Sequence, residues 1–212
     1  MRQSLSNVGD IVEAGGFAFT DIVKLTTYLS EAGDYGSVME VQNAFLSERF
    51  PEGGFPVTTT VVAQMPPPGM LVEVEVVAAR GDKEVIIADG VAPQRASSQA
   101  IRADDWIFLA GQGPLDGNGG VVGVGDMHAQ TRQTLENIKA LLEAAGGRFE
   151  DVVHFTIWIQ RPELYEPLNE ARVPFYREHF PKGDYPASSA IVGPSPLPDR
   201  LLTVEVIAHA GG

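Results

Sequence analysis

The 212-residue chain contains no cysteine, so disulfide staples, thiolate nucleophiles and thiolate metal ligands are all excluded. Basic residues are scarce: 15 Lys and Arg stand against 28 Asp and Glu, a formal charge of −13, and no Lys/Arg cluster occurs. That balance argues against nucleic acid and anionic membranes as partners, because both are bound largely through cationic side chains. No apolar run approaches the roughly 18 residues of a transmembrane helix, so no membrane span is expected. The N-terminus lacks a basic segment followed by an apolar one, so no signal peptide is expected and the cytoplasm is the default location. The four histidines, His128, His154, His179 and His209, have none of the close spacings of a metal site, so no metal is expected.

What the chain does have is a repeat. Residues 2–78 align with residues 132–208 at a constant offset of 130 and without a gap. RQSLSN matches RQTLEN, FAFTDIVKLTTYL matches GRFEDVVHFTIWI, RFPEGGFP matches HFPKGDYP, and LVEVEVVA matches LLTVEVIA. Unrelated helix and strand patterns do not stay in register over such a length, so the same structural unit occurs twice. The second copy extends upstream through residues 84–133, and the first is expected to lack the corresponding two strands. The division is residues 1–79, a linker at 80–83, and residues 84–212. So short a linker keeps the modules packed on each other.

Periodicity orders the second copy as β-β-α-β-α-β-β. Strands are expected at 84–89 (EVIIAD) and 105–110 (DWIFLA), joined through a polar turn at 102–104, followed by a loop at 111–126 with seven glycines. Its Gly-x-Gly is followed by proline rather than a helix start, which rules out a dinucleotide loop. A helix over 127–145 places Ala129, Leu135, Ile138, Leu141 and Leu142 on one face and stops at Gly146–Gly147. A strand within 149–160 precedes a helix over 164–179. Pro167 is tolerated in its first turn, whereas Pro174 predicts a kink or break. Strands at 187–192 and 201–208 close the copy. The first copy reads as helix 3–14, strand 21–29, helix 35–49 and strands 58–63 and 71–78. The fold class is therefore α+β.

The stretches FLAGQGPLD, AQTRQTLENIKALLEAAGGRFEDVV and the final VEVIA resemble the Rid family (reactive intermediate deaminases, also called YjgF-like or L-PSP endoribonuclease-like). The resemblance covers 84–210 and, without the first strands, 2–79. It implies chorismate-mutase-like modules, assembly as a homo-oligomer (a trimer or a multiple of one) with pockets between modules, and no cofactor. It also implies hydrolysis of small reactive imines or enamines, such as 2-aminoacrylate, to ketones and ammonia. The ribonuclease label attached to parts of the family is the weakest reading for so acidic a chain.

The family's site residues transfer unevenly. Glu205 and Glu75 match its last-strand glutamate, thought to position or activate water. In a V-E-V strand the glutamate faces away from its valine neighbours, so it is either solvated or in a pocket; the resemblance favours a catalytic pocket role. Asn169 matches a pocket asparagine whose counterpart in the first copy is Met39. Gly111 and Gln112 match residues that shape the pocket backbone. The family's carboxylate-binding arginine, suited to the task by its planar fork, is replaced by Ser188 in the second copy and Thr58 in the first, and the small thiol two positions on is Ala190. Substrate contacts are thus expected from Ser188, Asn169, Gly111, Gln112, Ala190 and Thr58, with a substrate lacking a free carboxylate at the arginine's position. Arg172 and Arg177 are candidates for a displaced cation or for solvated helix charges. The enzyme reading stands beside a non-catalytic oligomer that binds a small molecule or partner.

Overall fold

The computed structural model describes residues 1–211. Its elements are α1 (Arg2–Ala14), β1 (Ile22–Leu29), α2 (Tyr35–Arg49), β2 (Val57–Val62) and β3 (Val72–Ala78), then β4 (Lys83–Ile86), β5 (Ala100–Ala103), β6 (Trp106–Gln112), α3 (Met127–Ala144), β7 (Val152–Ile159), α4 (Tyr165–His179), β8 (Ala187–Val192) and β9 (Leu202–His209). They form a three-stranded sheet ordered β2-β1-β3 and a six-stranded sheet ordered β4-β5-β6-β9-β7-β8. The two copies repeat down to register. Thr26 pairs with Thr59 in parallel and with Glu75 antiparallel, and Thr156 pairs in the same way with Ser189 and Glu205.

Each sheet carries its helices on one face. In the second copy Leu135, Ile138, Leu141 and Leu142 of α3 are buried over Ile107, Leu109 and Val206. Asp126 starts α3 by accepting hydrogen bonds from the amides of His128 and Ala129, at 2.9 and 3.1 Å. Aromatic packing recurs at the repeat offset: Phe19 meets Phe45 edge-on at 5.7 Å, and Phe149 meets Phe175 at 5.1 Å. Such pairs add specific geometry to apolar burial.

Three expectations change. Ala100–Ala103 is an additional strand that takes in the start of the turn expected at 102–104, and Asp104, in the left-handed region at φ 52°, turns it into β6. The strand expected at 84–89 ends at Ile86. Helix α4 runs unbroken through Pro174: residues 173 and 174 lie on its exposed side, and the Glu170 carbonyl that loses its partner belongs to another exposed residue.

The opposite faces of the two sheets pack together. Val23 and Val57 of the first copy meet Ile101, Ala103, Phe108 and Ala110 of the second. The edge of β2 is tied down as well. Val57 bridges to Ser98, the Ser97 hydroxyl accepts from the Thr58 amide at 3.0 Å, and the Ser98 hydroxyl donates to the Phe55 carbonyl at 2.5 Å. At the heart of this apolar seam lies a closed polar triangle. The Lys24 ammonium donates to the Thr26 hydroxyl at 2.7 Å, that hydroxyl donates to Glu205 Oε1 at 2.7 Å, and Glu205 Oε2 lies 3.1 Å from Lys24 Nζ. Lys24 and Glu205 are 6% and 4% exposed, so each charge depends on the other. Removing one partner of such a pair costs about 3–5 kcal/mol. Lys24→Met is therefore expected to lower the urea-unfolding free energy by about that much, and Lys24→Met/Glu205→Gln to recover most of it. Simple addition of the two single losses would show that the triangle does not join the modules.

Candidate functional site

The packed sheets leave a cleft between the copies. Its volume is about 230 Å³, and a side chamber of about 60 Å³ shares several of its lining residues. One wall comes from the first copy: Tyr35, Met39 and Asn43 of α2, with Thr58 of β2. The other comes from the second: the segment 91–95, Gly111, Gln112 and Gly113 at the end of β6, Asn137 of α3, and Arg200 from the loop before β9. The cleft is therefore a product of the sheet packing and belongs to neither module alone.

Gly111 lets the walls approach. A Cβ there would lie 2.8 Å from Thr59 Cγ2 and 3.1 Å from Thr203 Cγ2, closer than carbon atoms tolerate. Gln94 donates to the Gly111 carbonyl at 3.3 Å, Gln112 bonds the Ala110 carbonyl at 2.9 Å, and Asn137 donates to the carbonyls of Gly113 and Leu115 at 3.2 and 2.8 Å. The turn after β6 is thus held from three side chains. Asn43 stands one turn beyond Met39 on the same face of α2, and its Oδ1 is buried without a hydrogen-bond partner. A buried acceptor left open in this way is costly unless something fills it.

Arg200 is fixed from behind. The fully buried Gln130 of α3 donates to the Asp199 carbonyl at 2.8 Å and accepts from the Leu201 amide at 2.8 Å, clamping the backbone on either side of Arg200. Ser195 closes the preceding turn through the Leu197 carbonyl and amide, at 2.7 and 3.1 Å. Burial pushes the Arg200 guanidinium below its ordinary pKa, and Tyr35 acts in the opposite sense. Among the described residues Arg200 takes part in no ion pair.

Of the residues singled out in the sequence, Thr58, Gly111 and Gln112 come together in this cleft. Glu205 does not line it, being committed to Lys24 and Thr26 in the seam behind Thr59 and Thr203. Glu75 lies at the outer rim of the seam, half exposed, with Lys24 Nζ at 3.6 Å and the Tyr28 hydroxyl at 3.3 Å. Burial, then the charges of Glu75, Glu205 and Glu73, raise the Tyr28 phenol, which stays protonated. Ser188 and Ala190 are on the exposed strand β8. Ser188 borders a separate hollow with Arg172, Tyr176 and Arg177, and Asn169 accepts from Arg172 Nε at 2.8 Å. His128 pairs with Glu170 at 2.9 Å, His179 bonds the Phe175 carbonyl, and His154 neighbours Thr156. Among the described residues, no group of three His, Asp or Glu could hold a metal ion, and no helix is long and apolar enough to cross a membrane. Arg200, Asn43 and Tyr35 are site residues that the sequence pattern did not single out.

The chain resembles known proteins over about 60% of its length. A RutC family protein of Pyrococcus horikoshii is 40% identical over 129 residues, which is 60% of this chain and 98% of that protein. The 3-aminoacrylate deaminase RutC of Acinetobacter baylyi is 37% identical over 128 residues, again 60% and 98%. The crystal structure of the Escherichia coli YjgF gene product superimposes with a TM-score of 0.54 at 29% identity, covering 60% of this chain and 98% of that one. E. coli TdcF with bound serine gives 0.53 at 28%, covering 60% and 99%. The endoribonuclease L-PSP family model matches twice, at residues 1–80 and 89–210. The chain belongs to this family, that of the Rid and YjgF proteins, and carries its module in tandem.

Proposed function

We propose that the chain is a divergent Rid-type hydrolase that deaminates a small reactive imine or enamine in the cleft between its two modules. The observation that carries this reading is the convergence of Gly111 and Gln112 of one copy with Thr58 of the other on a single small cavity. The relative named 3-aminoacrylate deaminase supports the reaction class. An enamine first tautomerises to its imine. Water then adds across the C=N bond, the nitrogen takes the proton, and the carbinolamine collapses to a carbonyl with loss of ammonia. In this chain the Asn43 side chain, on the cleft wall, would face the substrate nitrogen, and the fixed turn at 111–113 would hold the plane of the C=N group.

One observation favours the alternative of a binding module. Among the described residues no carboxylate or histidine lines the cleft or its side chamber, and Glu205, the family's water-handling candidate, is tied up in an ion pair. The test is ammonia release from imines generated in situ from amino acids by an oxidase. The wild-type chain is expected to accelerate release from at least one substrate, and Gly111→Ala, whose new methyl would enter the space beside Thr59, to lose at least about tenfold while melting as a folded protein. No acceleration with any imine would leave the binding reading.

We also propose that the chain self-associates through β8. Strand β2 is buried against the second copy, whereas its counterpart β8 is exposed along its whole length. Beside β8 lies a hollow of about 340 Å³ bordered by Val173, Tyr176, Tyr185 and Pro186. An uncovered edge strand next to apolar surface is a pairing site. Sedimentation should give a mass above the 22.7 kDa monomer, and Ile191→Arg should reduce it; a wild-type monomer at all concentrations would refute the contact.

A further inference from the structure

The chain carries a net charge of −13, yet among the described residues the charged side chains that line its cleft are two arginines, Arg95 and Arg200, with no Asp or Glu beside them. Positive charge concentrated in the cleft of an acidic protein marks a site for an anion. The two arginines differ. Arg95 is exposed and also borders an outer groove. Arg200 is half-buried, lines both the cleft and its side chamber, and lies along Gly113, where a Cβ would meet its Cδ at 3.4 Å and its Nη1 at 3.6 Å. Its backbone is clamped on both sides by Gln130, and the prolines at 194, 196 and 198 stiffen the loop that delivers it. A guanidinium withdrawn from water, held in place and without a protein carboxylate is a site prepared for one.

We propose that Arg200 is the carboxylate anchor of the cleft, so that the ligand is a small 2-imino or 2-oxo acid whose carboxylate pairs with Arg200 while its nitrogen or carbonyl end faces Asn43 and the turn at 111–113. This assignment deepens the hydrolase reading and rests on the same cavity. It also revises the expectation drawn from Thr58. That position offers no cation, but a cation reaches the cleft from the opposite wall, in the other copy of the module. Arg200 has Met70 as its repeat counterpart, so the two copies have diverged here. Selection of a carboxylate over a neutral isostere follows, because the neutral ligand would leave the guanidinium half-buried and unpaired.

The test is binding, which does not require turnover. Calorimetric titration of the full chain with pyruvate, as the simplest 2-oxo acid, is expected to show binding at least about tenfold tighter than with pyruvamide, its neutral match. Arg200→Gln should abolish that preference, and Arg200→Lys should keep part of it. Should Arg200→Gln fail to fold, the wild-type protein supplies the answer: pyruvate, and not pyruvamide, should protect Arg200 from phenylglyoxal, read by peptide mass spectrometry. Equal binding of pyruvate and pyruvamide, a preference that survives Arg200→Gln, or an absence of protection would overturn the assignment. Arg200-dependent binding without ammonia release from any imine would uphold the anchor and overturn the hydrolase reading alone.

Discussion

A lysine and a glutamate from different copies of the same module meet in a seam that is otherwise apolar, and the geometry of the molecule follows from that meeting. A buried ion pair adds little to stability compared with well-packed hydrocarbon, because both charges must be stripped of water. What it adds here is discrimination. Val23, Val57, Ile101 and Phe108 would accept several ways of laying one sheet over the other. Lys24, Thr26 and Glu205 accept one, since a slip along the strands would leave the buried Glu205 carboxylate unpaired. The register that satisfies them also sets Thr59 against Gly111, and so determines how far apart the cleft walls stand.

The two walls are no longer copies of each other. The first module supplies Tyr35, Met39, Asn43 and Thr58, whose counterparts in the second are Tyr165, Asn169, Val173 and Ser188. The second supplies Arg200 and its clamp, Gln130. In a ring of identical chains, one substitution alters every site on both sides of the interface. Here each wall can change while the other stays constant, which is how a cation can disappear from one side of a cavity and stand on the other.

Much of the fold was legible because the offset of 130 doubles each signal. A helix or strand that reads weakly in one copy is supported by the other, and the paired registers around Thr26 and Thr156 repeat as the alignment implies. Strand β5 had no such support, since it falls outside the aligned stretch and is short and partly polar. Pro174 misled because its effect depends on which side of the helix it occupies, and that side faces solvent. The site was less legible for a definite reason. A V-E-V pattern says that Glu205 turns away from its neighbouring valines but not that a lysine from the other copy will cover it. Arg200 sits in a proline-rich loop without periodicity, and the glutamine that fixes it lies 70 residues earlier on α3. Asn43 was hidden by the repeat itself, which directs attention to the matched pair Asn169 and Met39 rather than to the next turn of α2.

Because both walls of the cleft belong to one polypeptide, the cavity forms by an intramolecular event. Its formation does not depend on protein concentration, unlike a cavity shared between separate chains, whose occupancy falls when the assembly dissociates. Dilution would leave the lysine–glutamate seam and the cleft above it in place. A cell that makes only traces of this protein would still possess the complete site.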